Sequence, residues 1–345
     1  MGQTSSMTTT HNGEVRTRVW REAKLEAEDF PLADVSEHLK DPDSLVWVDL
    51  LDPKPERLLD LAEELGFDPL AVEDALARSE RTKATRYPTH TFLTVYATHL
   101  RTTPDPTLEM YESRLATTRV SAFMIPRCLV TVRRDGPFDM DEVVNRWDSN
   151  PDLIRYGTAA LLHGLLDVVV DGQFDTIRDL DDAIEEIEDG LFADQARTKT
   201  IQRSVYRLRK ELVQLRRVVL PMREIVNAVT HFRADHGISG ELDSWYADLY
   251  DHVLRATEWT ESLRDMVTTI FETNLSLQDA RLNTVMKKLT GWAAIIAVPT
   301  AVTGWYGMNV PYPGFGDRGG LAAVAVIIIL SAGVLYLLFK RRDWL

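Results

Sequence analysis

The chain has 345 residues, 45% of them hydrophobic and 27% charged, with a formal net charge of −14. That hydrophobic content excludes a disordered chain, and the acidic balance argues against a nucleic-acid binder, which is usually basic. Cys128 is the single cysteine, so no intrachain disulfide can form, and the length accommodates about two domains.

Residues 1–15 open with MGQTSSMTTTHNGE, which lacks a basic start and an apolar run. The segment reads as a flexible tail and not as a signal peptide. Residues 16–150 carry runs rich in β-branched and aromatic residues: Leu45–Leu50, His90–Leu100, Arg114–Ile125 and Cys128–Arg134. Helical stretches fall between them at Lys54–Leu65 and Pro69–Arg78. The spacing predicts a cytoplasmic α/β domain with a largely antiparallel sheet.

Residues 151–238 predict a helical hairpin of two long helices, Leu153–Leu191 and Thr198–Phe232, broken at Ala193–Arg197. The first is acidic over Asp179–Gly190, and the second carries Arg203, Arg207, Arg209, Lys210, Arg216 and Arg217. Opposite charge favours their pairing, although each exposed pair is worth less than about 1 kcal/mol. His231 and His236 lie five apart with no third ligand in view, a weak zinc signal.

Residues 239–288 read as a stalk. From Glu241 to Thr290 there is neither glycine nor proline, enough for a helix of about 75 Å. An apolar set recurs at Leu249, Val253, Ala256, Thr260, Leu263, Val267 and Ile270, which marks a helix–helix seam. Steps of three or four carried on from Glu272 pass Leu275, Asp279, Asn283, Met286 and Leu289. One such face cannot enclose a channel, whereas several copies around an axis can, so the pattern predicts a ring of subunits.

Two uncharged stretches of membrane length follow, residues 289–307 and 321–339, joined by a loop over 308–320. The first carries Gly291, Pro299, Thr300, Thr303 and Gly304, which suit close helix packing. Lys287 and Lys288 precede it, and the basic tail 340–345 begins with Lys340, Arg341 and Arg342. The positive-inside rule puts these ends in the cytoplasm and the loop outside, a hairpin with both termini inside the cell.

Gly307-Met308-Asn309 follows Tyr306 where the first stretch passes into that loop. With Asn283–Thr290 leading in, the basic ending KRRDWL, Asp248–Val253 in the stalk and Asp68–Leu76 near the N-terminus, the chain resembles the CorA family of divalent-cation channels. The resemblance runs from about Val46 onward. It implies a funnel-shaped homopentamer in the cell membrane that moves Mg²⁺ and Co²⁺ inward down the electrochemical gradient. No ATP is used, and no phosphate-binding loop of the type GxxxxGK[ST] is present. No enzymatic activity, organic cofactor or nucleic-acid partner is expected; the partners are the other subunits, the lipid bilayer and the cation itself.

On this resemblance Gly307, Met308 and Asn309 form the outer selectivity element, with the Asn309 amide accepting hydrogen bonds from a hydrated ion. Asn283 forms a second polar ring at the inner mouth, and Met286 and Leu289 an apolar constriction that gates by excluding water. Thr300 is a further lumen candidate, and Glu272 and Asp279 would concentrate cations below the gate. Glu73 and Asp74 of one subunit with Asp248 of the next are the expected regulatory Mg²⁺ ligands. The outer loop departs from the family pattern, offering only Asp317 beside Arg318, which predicts weaker external ion capture. Two alternatives stand beside this reading: a zinc transporter of the same superfamily, and a non-conducting membrane-anchored oligomeric scaffold.

Overall fold

The computed structural model describes residues 15–101, 113–134, 136–190, 198–235, 240–308, 314 and 317–344. They fall into two compact units, one through Thr268 and the other from Thr269 onward.

The first unit is built on one seven-stranded sheet. Its strands are β1 (Val15–Arg21), β2 (Lys24–Glu28), β3 (Ser44–Leu51), β4 (Lys83–Arg86), β5 (Thr91–Leu100), β6 (Leu115–Ile125) and β7 (Cys128–Arg133). They lie in the order β2-β1-β3-β7-β6-β5-β4. All neighbours are antiparallel except β3 and β7, which run parallel with Val46 opposite Cys128. The four strands expected from sequence are present, and β1, β2 and β4 join them.

Alternation along β3 sends Leu45 and Trp47 to one face of the sheet, and Val46, Val48 and Leu50 to the other. The second face is covered by α1 (Val35–Leu39), α2 (Pro55–Leu65) and α3 (Pro69–Leu76), which contribute Val35, Leu58, Leu61, Ala71 and Val72. Pro55 opens α2 at a position where its missing N–H costs nothing. Asp68 caps α3 by accepting the Leu70 N–H at 2.9 Å.

The first face carries α4 (Met140–Ser149), α5 (Pro151–Ile154), α6 (Thr158–Gly190), α8 (Met222–Asp235) and the start of α9 (Asp243–Tyr306). Its centre is Trp147, edge-on to Trp47 at 4.9 Å and to Trp20 at 6.0 Å, with its indole N–H donating to the Leu161 carbonyl. A Cβ at Gly164 would stand 2.5 Å from the Trp147 ring nitrogen, so only glycine lets α6 pass here. Within the sheet, Asp49 is fully buried and accepts from Thr131 Oγ1 at 2.7 Å and Arg133 Nε at 2.8 Å. Burial nonetheless raises its pKa against those partners. Cys128 is buried in β7, its thiol pushed up to about 12, so it stays a thiol and packs as a small apolar side chain.

The helical hairpin differs from the sequence expectation in two places. Gly157, at φ +71, stands in the left-handed region between α5 and α6, so α6 starts at Thr158 and not at Leu153. The second helix is two: α7 (Thr198–Val219) ends before Pro221, which has no N–H to continue the ladder, and α8 begins at Met222. The expected break at Ala193–Arg197 and residue Leu191 lie outside the described residues. Arg216 of the basic helix α7 pairs with Glu261 of α9 at 2.5 Å. The stalk seam is buried as its periodicity predicts: Leu249, Val253, Ala256, Thr260, Leu263, Val267 and Ile270 are all under 5% exposed. Phe174 of α6 lies on that side, with its ring 6.3 Å from Trp259 and 5.9 Å beneath the Arg255 guanidinium.

In the second unit, α9 continues without interruption to Tyr306, and α10 (Arg318–Arg341) follows. Both helices are long and apolar enough to cross a membrane. Leu321, Ile329, Leu330 and Leu337 of α10 are each more than 60% exposed, a surface that water does not tolerate.

Candidate conduction path and regulatory site

The residues expected to line a path stand on one element. Helix α9 has 64 residues, about 96 Å at 1.5 Å per residue, and runs through Glu272, Asp279, Asn283, Met286, Leu289 and Thr300. At about 100° per residue, Glu272, Asp279, Asn283 and Met286 fall within roughly 60° of arc and share a stripe. Leu289 and Thr300 stand roughly 80–100° from Glu272, on the adjoining stripe. The stripe is bare within one chain: Glu272, Asp279 and Asn283 are exposed, Met286 is 51% exposed and Leu289 63%. Phe271, Leu275, Leu282 and Val285 add further exposed apolar surface between 271 and 285.

Pro299 sits inside α9 and leaves the Ile295 carbonyl without its helical donor. Thr300 donates its hydroxyl to the Ile296 carbonyl at 2.8 Å, so only its lone pairs remain to meet a ligand. Gly307 still donates its N–H to Thr303 at 2.8 Å, and Met308 donates to Trp305 at 3.3 Å. The backbone at Gly307 is not left-handed. Its requirement is room, since a Cβ there would stand 3.0 Å from the Thr303 oxygen. Asn309 lies outside the described residues.

The expected regulatory carboxylates occupy two elements. Glu73 is exposed on α3, while Asp74, beside it, accepts from Lys83 Nζ at 2.7 Å. Burial lowers the pKa of Lys83, but its hydrogen bond to Asp74 and the charges of Asp74 and Glu80 outweigh this and hold it raised. Asp248 on α9 is 71% exposed, with Oδ2 3.7 Å from His252 Nδ1. His163 contacts the Trp245 carbonyl at 3.2 Å; burial pushes its imidazole below the usual range, with Asp167 and Asp248 opposing. Asp167 pairs with Arg146, which also reaches Asp171 at 2.6 Å. Among the described residues no three His, Cys, Asp or Glu side chains of one chain are arranged to hold a metal ion, so Glu73, Asp74 and Asp248 form no such group within a single chain. His231 bonds the Asn227 carbonyl of its own helix at 2.7 Å, and His236 lies outside the described residues.

Sequence reading missed Lys83, His163 and Asp167, because strand–helix and helix–helix contacts join them to the acids. His252 was legible in principle, four residues after Asp248 on one helix.

An α/β sheet domain, a 64-residue helix and two helices long and apolar enough to cross a membrane define the class of the chain. The chain belongs to the CorA-like Mg²⁺ transporter family, whose model matches residues 42–341, and is a divalent-cation transporter of the CorA superfamily. The cobalt/magnesium transport protein CorA of Thermotoga maritima is 27% identical over 325 residues, covering 93% of this chain and 90% of that protein. The zinc transport protein ZntB of Yersinia enterocolitica is 26% identical over 317 residues, covering 88% of this chain and 85% of that protein. The structure of the CorA magnesium transporter from Methanocaldococcus jannaschii matches with a TM-score of 0.73 at 21% identity, over 96% of this chain and 98% of that one.

Proposed function

We propose that the chain is a homopentameric channel that admits Mg²⁺, and Co²⁺ with it, across the cell membrane and is closed by intracellular Mg²⁺. The observation that carries this reading is the single helix Asp243–Tyr306. It presents Glu272, Asp279, Asn283 and Met286 on one solvent-bare stripe and ends at Gly307-Met308. Five such stripes around an axis give rings of carboxylate, carboxamide and thioether in series. Exposed apolar side chains from Phe271 to Leu289 then face neighbours and lipid instead of water.

The entrance is the ring of Asn309 amides. Mg²⁺ sheds water reluctantly, and amide oxygens accept hydrogen bonds from its aquo ligands without stripping them. Met286 and Leu289 form the dry constriction, with Asn283 beside it and Glu272 and Asp279 drawing cations at the inner end. Lys287, Lys288, Lys340 and Arg341 hold both termini in the cytoplasm. Glu73 and Asp74 of one subunit and Asp248 of its neighbour hold regulatory Mg²⁺. Without metal, one like-charge pair at about 4 Å costs roughly 4 kcal/mol at an effective dielectric near 20, and binding removes that cost in the closed state. Family members move ions and do not transform substrates, which agrees with the absence of enzymatic activity expected here.

Zn²⁺ cargo is the second reading, favoured by the ZntB relative at nearly the same identity as the CorA one. Uptake of Mg²⁺, Co²⁺ and Zn²⁺ by cells lacking their own Mg²⁺ transporters decides between them. Rescue by Mg²⁺ with Co²⁺ entry supports the proposal, whereas Zn²⁺ entry without Mg²⁺ rescue overturns it.

A further inference from the structure

Alternation along β6 sends Val120, Ala122 and Met124 to the face that carries α4 and α6, and Phe123 to the face that carries α2 and α3. Arg119 shares the second face with Phe123 and is 5% exposed. Its Nη2 donates to the Ala75 carbonyl at 2.7 Å, while its Nη1 is sealed from water and has no acceptor. Arg134, one residue past β7, lies beside it, with its backbone N–H donating to the Arg119 carbonyl at 3.4 Å. The Nη2 of Arg134 donates to the Leu76 carbonyl at 2.7 Å, and its Nη1 to Asp52 Oδ1 at 3.1 Å.

Both accepting carbonyls belong to the end of α3. That helix has eight residues, and its last backbone bond runs from the Ala77 N–H to the Glu73 carbonyl at 2.8 Å. The Ala75 and Leu76 oxygens lie beyond that bond, where a helix has no donor of its own. Ala77 leaves in extended backbone, at ψ 151°, so no left-handed residue turns the chain back to cap them. The two guanidiniums cap them instead, and their charge complements the negative end of the helix dipole. Glu73 and Asp74 stand in this same final turn, the part of a helix that frays first.

A buried guanidinium is a costly way to end a helix. Among the described residues no carboxylate pairs with Arg119, and one carbonyl does not offset the desolvation of a full charge. For stability alone, an apolar side chain of similar size often serves as well. What Arg119 adds is a directed bond to the residue after Asp74. We propose that Arg119, assisted by Arg134, is a positioning residue of the regulatory site. It pins the last turn of α3 to the sheet and so fixes where Glu73 and Asp74 present their oxygens to Mg²⁺. The proposal rests on the reading of those carboxylates as Mg²⁺ ligands given above.

The test measures flux through the full-length chain in proteoliposomes against internal Mg²⁺. Each variant is read against its own flux without internal Mg²⁺, so a loss of folded protein cancels. Arg119→Met should raise the half-closing Mg²⁺ concentration about tenfold, and Arg134→Met several-fold. Arg119→Lys, which keeps a charged donor at that depth, should recover most of the loss. The direction is diagnostic: removing a positive charge that merely repels the metal would lower the midpoint, and a merely structural role would leave it where it is. Arg134 has a side chain 38% exposed, so its variant reports even if the buried substitution prevents folding. Glu73→Gln with Asp74→Asn is the reference. If the reference leaves the midpoint in place, the reading of those carboxylates as ligands fails and the proposal falls with it. A midpoint that responds to the reference but is unmoved or lowered in both methionine variants overturns the proposal alone.

Discussion

Lys83 sets the terms on which Asp74 can meet a metal. The two side chains are 20% and 24% exposed and lie 2.7 Å apart, so an incoming Mg²⁺ must displace a partly desolvated ammonium. Lys83→Met removes that competitor. The internal Mg²⁺ concentration that half-closes the channel should fall roughly three- to tenfold, equivalent to about 1 kcal/mol. Flux measured against internal Mg²⁺ reads this directly; an unchanged midpoint would remove Asp74 from the regulatory set. His90 poses a different question. It is 2% exposed between the rings of Tyr87, Phe67 and Phe123, with Nε2 unpartnered. Burial lowers its pKa, with Asp68 opposing. Below the unfolded value of about 6.5 the unfolded chain takes up the proton first, so stability falls as pH drops through and below that point. His90→Phe should flatten this decline in denaturation midpoints recorded between pH 7.5 and 5; an equally steep decline would place its origin in other groups.

At the scale of elements, α9 was the most legible part of the chain. Fifty residues without glycine or proline and a seam from Leu249 to Ile270 announce a long helix packed on one side, and the structure buries that seam. The break at Pro221 was written in the sequence but outvoted by the basic amphipathic pattern on either side of it. Strand β4 was not legible, because Lys-Ala-Thr-Arg is short and polar and becomes a strand only by pairing with Thr91–Thr94 of β5. The pairing of Asp74 with Lys83 depends on that edge, so the proposed regulatory carboxylate was visible and its competitor was not. The spacing of three and four along the conduction stripe has a period of 3.5, and on a straight helix it drifts about 20° per heptad. Thr300, four heptads from Glu272, stands off the stripe for this reason; Leu289 is offset further by two successive steps of three after Asn283, and a left-handed supercoil of packed subunits would bring it only part of the way back toward the axis. Met286 lies on the stripe without that correction and is the more direct gate residue. Met286→Asn should wet the constriction and raise flux at closing Mg²⁺ concentrations several-fold, measured in vesicles loaded with Mg²⁺; flux that stays closed would move the gate elsewhere.

For the molecule as a whole, the patterning of the sequence made the two long apolar helices and the α/β domain legible. The proposed assembly is legible only indirectly, because a single chain leaves Met286, Leu289, Trp292 and Trp305 exposed without saying what covers them. The family supplies transport of divalent cations, and the solvent-bare stripe on α9 supplies the reason a ring of copies would conduct. The central claim is therefore a flux, and it rests on the amide at the outer entrance. The direct measurement is Mg²⁺ entry into proteoliposomes containing only this purified chain, compared with Asn309→Ala. The account predicts rapid entry down the imposed gradient for the unmodified chain and a loss of at least about tenfold for the variant. Equal entry through both, or none through the unmodified chain in vesicles free of internal Mg²⁺, would contradict it.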